Sequence, residues 1–139
     1  MAAQLRFDRF VTAQDRIYGD VCAGLAAGEK TSHWMWFIFP QLEGLGRSTM
    51  AIQYGIASQE EARAYWQHAT LGARLELVLA VKGKNAFLIF GTPDDLKFRS
   101  SMTLFSHAVP DAPLFKLALA KYFQGRDDPR TMELLSARL

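Results

Sequence analysis

Residues Trp34 to Phe39 are six consecutive apolar side chains, Trp-Met-Trp-Phe-Ile-Phe, and Pro40 ends the run. The run is far shorter than the ~20 residues a membrane helix requires, so its place is a protein interior, whatever backbone form it takes. Its burial draws Lys30, Ser32, His33 and Gln41 to the edge of the core. Leaving such groups buried without partners costs about 1–3 kcal/mol each, so they must be hydrogen-bonded or line a cavity. Two readings stay open: a core plug held by structural polar contacts, or one wall of a pocket.

The 139 residues are enough for one domain, taken as residues 1–139, with 50% hydrophobic and 22% charged side chains. A disordered chain would be poorer in apolar residues. Sixteen basic and fourteen acidic side chains leave a net charge of +2, too little to mark a nucleic-acid binder. Cys22 is the single cysteine and cannot form an internal disulfide. Arg6, Asp8 and Arg9 interrupt the start where a signal peptide would need an apolar stretch. The expectation is a soluble cytoplasmic protein with no membrane segment.

Helical periodicity dominates. Between residues 5 and 27, Phe7, Phe10, Val11, Ile17, Tyr18, Val21, Cys22 and Leu25 fall on one stripe, with Gly28 as the stop. Pro40, Gly44 and Gly46 make 29–49 irregular. Ser58 and Glu61 have capping-box spacing, predicting a short helix to Gln67. Leu71, Leu75, Val78 and Leu79 mark another, ending near Gly83, and Ala86 to Phe90 fits a buried strand or a helical turn equally. Thr92, Pro93 and Asp95 read as a helix start, followed by Phe98, Met102, Phe105 and Val109 on one face. Pro113 and Gly125 bracket a further helix, and 130–137 holds a last one. The fold class is mainly α: a single compact globular domain of about six helices, with at most a minor strand contribution.

Several polar residues stand out against this pattern. Gln14 sits in the middle of the first apolar stripe, where a buried amide is either a bridge between helices or a ligand contact. Gly44-Leu45-Gly46-Arg47-Ser48 can form a backbone nest for an anion, with Arg47 as bidentate donor and Ser48 as hydroxyl, or be a plain glycine turn. Gly24 to Thr31, GLAAGEKT, only imitates a phosphate loop: its spacing is one residue short and Glu29 splits the Gly-Lys pair. Lys97 and Ser101 lie four apart on one helix, within reach of one ligand; serines bonding back to their own helix carbonyls are the alternative. His33, His68 and His107 are scattered and no metal site is expected. No cofactor is implied, and no nucleophile elbow is present.

Together these residues resemble a bacterial family known only as domain of unknown function 1810 (DUF1810). The likeness spans nearly the whole chain. It rests on Arg9-Phe10, Ala13-Gln14 and Tyr18, on Gly28, Lys30 and Ser32 to Gln41, and on Gly44-Leu45-Gly46 with Ser48. It continues through Tyr54-Gly55-Ile56, Glu61-Ala62, Tyr65, Leu71-Gly72 and Arg74, then Phe90-Gly91, Pro93 to Lys97 and Ser100 to Phe105. The resemblance implies a mainly helical fold and carries no reaction or ligand with it. The label calpastatin, borne by some members, does not suit this chain, because that inhibitor is repetitive, disordered and poor in apolar residues. A second likeness, at fold level only, is to the NADAR proteins, small helical enzymes acting on ADP-ribose linkages, through Leu71-Gly72-Ala73-Arg74.

The functional expectation is a polar, cationic pocket for a small anionic metabolite, a nucleotide or an ADP-ribose-like compound. Lys30, Arg47 and Lys97 would neutralise phosphate, with Ser32, Ser48 and Ser101 as hydrogen-bond donors. Trp36 or Tyr54 would stack on a base, and Gln14 and Gln41 would add amide contacts. His33 is the candidate catalytic acid or base for splitting a glycosidic bond, although no carboxylate pair accompanies it. The competing class is a non-catalytic protein-interaction module or a homo-oligomer built on an exposed aromatic segment.

Overall fold

The computed structural model describes residues 2–26, 35–45, 48–78 and 94–137. Within them the chain runs α1 (Ala2–Ala26), α2 (Met35–Ile38), α3 (Thr49–Gln53), α4 (Gln59–Gln67), α5 (Ala69–Val78), α6 (Asp94–Ala108), α7 (Leu114–Phe123) and α8 (Pro129–Ala137). The fold is mainly helical. The expected stops at Gly28 and Gly83, the ambiguous run Ala86 to Phe90 and the Thr92-Pro93 start lie outside the described residues.

One short helix, α2, interrupts the region 29–49 read as irregular, and a second, α3, begins at its last residue. Four and five residues are too few for a helix to persist alone, so both depend on what surrounds them. Ser48 starts α3 by accepting a hydrogen bond from the amide of Ala51 at 3.1 Å. Beyond its end, an isolated parallel bridge pairs Leu42 with Ile56. There Glu43 N donates to Ile56 O at 2.8 Å, and Ile56 N to Gln41 O at 2.9 Å.

The predicted capping box at Ser58 forms with one change. Ser58 Oγ accepts from Glu61 N at 3.1 Å, while the Glu61 carboxylate reaches back to Ala57 N, at 3.2 Å, one residue before the cap. A cap invisible in the pattern follows at His68, whose Nδ1 accepts from both Thr70 N and Leu71 N at 3.2 Å. It turns α4 sharply into α5, so closely that a Cβ at Gly72 would collide with the Trp66 carbonyl.

The core is aromatic. Tyr65 on α4 is fully buried and meets Phe10 edge-on at 5.2 Å, Phe7 at 5.9 Å and Phe105 of α6 at 5.5 Å. Phe105 stacks on Phe115 of α7 at 5.2 Å. Phe39, just after α2, meets Phe98 at 4.8 Å. Tilted and edge-on pairs of this kind add about 0.5–1.5 kcal/mol each beyond area burial. The far end is fastened by polar contacts. Arg99 donates to the carbonyls of Arg126 and Asp127 at 3.0 and 2.8 Å, and Thr103 Oγ1 accepts from Asp128 N at 2.8 Å. Asp128 caps α8 through Thr131 N at 2.9 Å.

Gly72→Ala is expected to lower stability by about 2–4 kcal/mol through overpacking against backbone, and Ser58→Ala by about 1 kcal/mol through loss of the cap. Thermal denaturation ranks the two; equal midpoints would contradict the close approach at Gly72.

Candidate functional site

Gln14 lies 1% exposed on the inner face of α1. Its Nε2 donates to the carbonyl of Phe37 on α2 at 2.6 Å and to the Tyr65 hydroxyl on α4 at 3.0 Å. Its Oε1 accepts from Arg74 Nη1 on α5 at 3.3 Å. Arg74 also pairs with Asp15 at 2.6 Å and lies over the Tyr18 ring at 5.1 Å. The side chain thus uses both amide hydrogens and its oxygen inside the protein, which is the geometry of the interhelical bridge. Burial holds the Tyr65 phenol well above its usual pKa of 10.0, against smaller lowering effects from the Gln14 hydrogen bond and the Arg74 charge.

Beside this network a cleft of about 520 Å³ opens along α1, within the size range of small-molecule sites. Asp8, Arg9, Thr12, Ala13, Arg16 and Ile17 line it from α1, opposite Phe37, Gln53 and Tyr54. Arg9 is committed to the protein: its Nε donates to Gln53 O at 2.7 Å and its Nη2 to Gly55 O at 3.3 Å, tying the end of α3 to α1. It also stands 3.9 Å from the Glu61 carboxylate and over the Phe10 ring. Arg16 is exposed and makes no hydrogen bond or ion pair among the described residues. Tyr54 is 9% exposed, packed on Phe10 at 5.6 Å and Phe37 at 5.3 Å, and Gln53 Nε2 donates to its hydroxyl at 3.4 Å.

The residues singled out from the sequence divide accordingly. Tyr54 lines the cleft, and Gln14 lies behind it, bonded to the Phe37 carbonyl. Gln41 is half-buried and takes part in the bridge through its backbone oxygen. Ser48 is exposed and caps α3. His33, Lys30, Ser32 and Arg47 lie outside the described residues, as does the side chain of Trp36, whose backbone is in α2. Lys97 and Ser101 are on α6, and neither lines the cleft.

On α6, Ser100 donates to Leu96 O at 3.0 Å, Thr103 to Arg99 O at 2.9 Å and Ser106 to Thr103 O at 2.9 Å. These hydroxyls bond back to their own helix. Ser101 does not: its Oγ is fully buried without a partner among the described residues. Among the described residues no three of His, Cys, Asp and Glu gather as metal ligands, and no helix is long and apolar enough to cross a membrane.

The sequence reading missed Asp8, Arg9, Thr12 and Arg16. For Asp8, Thr12 and Arg16 the signal is the spacing 8, 12, 16 on the flank of the first apolar stripe, which reads as a solvated face until α2 and α3 are set against it.

Two outcomes follow from these contacts. Unfolded tyrosine ionises near pH 10, whereas folded Tyr65 keeps its proton to higher pH. Its contribution is therefore complete below about pH 10 and is lost as pH rises beyond it. Tyr65→Phe should flatten the alkaline fall in denaturation free energy; an unchanged slope would refute the assignment. Ser101→Ala removes an unsatisfied hydroxyl and should be neutral or stabilising by up to about 1 kcal/mol. A loss above that in a denaturant titration would show that the hydroxyl has a partner.

Comparison with known proteins agrees with this architecture. The profile of a protein of unknown function, DUF1810, matches residues 4–135. A solved structure, the conserved hypothetical protein Rv1873 from Mycobacterium tuberculosis, is similar at a TM-score of 0.88 and 52% sequence identity, over 94% of this chain and 96% of that one. No curated protein matches. A profile that runs from the first turn of α1 into α8 places this chain in the DUF1810 family.

Proposed function

We propose that the cleft between α1, α2 and α3 binds a small anionic metabolite bearing phosphate, of the nucleotide or ADP-ribose type. The observation that carries this reading is Arg16, a guanidinium with no partner among the described residues, set in a cleft whose opposite wall is Phe37, Gln53 and Tyr54. Arginine suits a phosphate group because its planar fork donates two parallel hydrogen bonds. The state of the aromatic run supports a pocket over a partner surface. Phe37, Ile38 and Phe39 are 7%, 2% and 1% exposed, so this half of the run is core, and Phe37 is also a cleft wall.

The proposal is one of binding. Among the described residues Asp8 is the single carboxylate lining the cleft, whereas cleavage of a glycosidic bond ordinarily engages two. The catalytic role considered for His33, and the phosphate contacts considered for Lys30 and Arg47, fall on residues outside those described, and the binding reading does not rest on them. Lys97 and Ser101 stand apart from this cleft and are not assigned to it.

A thermal-shift screen with nucleotides, ADP-ribose, NAD and sugar phosphates tests the reading. A ligand at a hundred times its Kd adds about 2.7 kcal/mol, or roughly 8 °C in a domain of this size. Arg16→Ala should weaken binding at least about tenfold while leaving the ligand-free midpoint unchanged. No shift with any phosphate compound, or full binding by the variant, would overturn it.

A further inference from the structure

The α1 wall of the cleft has a charge order. Asp8, Thr12 and Arg16 follow one another at four-residue steps, so they stand in a row on one side of the helix. Asp8 and Arg16 are eight residues apart, about 12 Å along the axis at 1.5 Å per residue. Both are exposed, and neither makes a hydrogen bond or ion pair among the described residues. Arg9 contrasts with both, since its guanidinium already donates to Gln53 O and Gly55 O. The row therefore presents a free acceptor at one end, a hydroxyl in the middle and a free bidentate donor at the other.

Resting on the binding reading above, we infer that this order recognises ribose phosphates, with the phosphate held at Arg16 and the vicinal hydroxyls of the ribose held at Asp8. A phosphate at the Asp8 end would face a carboxylate, so the ligand has one favoured direction. The group at Asp8 must donate hydrogen bonds. An ammonium would also meet the guanidinium of Arg9, which lines the same end of the cleft. Neutral hydroxyls donate to the carboxylate without that repulsion. The Thr12 hydroxyl lies between the two and can follow the linking atoms.

Calorimetric titration of the full chain with ADP and with 2′,3′-dideoxy-ADP tests the order. Wild type should bind the dideoxy compound about tenfold more weakly, in keeping with the loss of hydrogen bonds to a charged acceptor. Asp8→Asn should bring the two affinities together, and Arg16→Ala should weaken both. Equal wild-type affinities for the two compounds, or an undiminished preference in Asp8→Asn, would overturn the inference and leave phosphate binding standing. Absence of binding by either compound, with other phosphate esters still raising the midpoint, would overturn the ribose assignment alone. Absence of binding by every phosphate compound would overturn both readings.

Discussion

The carboxamide of Gln14 is the contact on which the arrangement of the helices depends. One side chain ties α1 to α2, α4 and α5, through Phe37 O, the Tyr65 hydroxyl and Arg74. At 1% exposure no solvent stands ready to replace a missing partner, so each bond is more costly to lose than it was profitable to make. Apolar packing around Tyr65 would tolerate small rotations of these helices. A directional amide with all three bonds in use does not. The polar centre supplies the geometric specificity of an otherwise aromatic core.

The same helix then serves two environments. Its inner face carries Phe7, Phe10 and Gln14, all buried, while the adjoining flank carries the residues of the cleft. Phe37 joins the two: its carbonyl is held from inside by Gln14 and its ring helps to wall the cleft. Arg9 makes a comparable link at the other end, where its contacts with Gln53 O and Gly55 O position α3. The shape of the cleft is thus set by interior bonds, which leave the Arg16 side chain without a partner among the described residues.

Much of the fold could be read along the chain, because it rests on local rules. The stripe of α1, the Ser58–Glu61 cap and the last helix obey periodicity and capping, which need only near neighbours. The short helices α2 and α3 escaped notice because tertiary contacts hold them. His68 as a cap escaped because an imidazole seldom takes that part. Gln14 was conspicuous in the sequence, yet bridge and ligand contact make the same demand of an amide on an apolar stripe. Only its three partners separate them. The cleft was the least legible feature: Asp8, Thr12 and Arg16 look like any solvated flank, and their meaning comes from α2 and α3, remote in sequence.

The wall formed by α3 has a consequence for how a bound molecule would be felt. Helix α3 buries none of its own five side chains and is held by a serine cap and one arginine, whereas the helices behind it share the continuous aromatic core, which Tyr54 and Ile56 join just after its end. Such a segment can open as a small cooperative unit while the bundle stays closed. Occupancy of the cleft would then be registered first as slower amide exchange in this short stretch, with the remainder of the molecule almost silent.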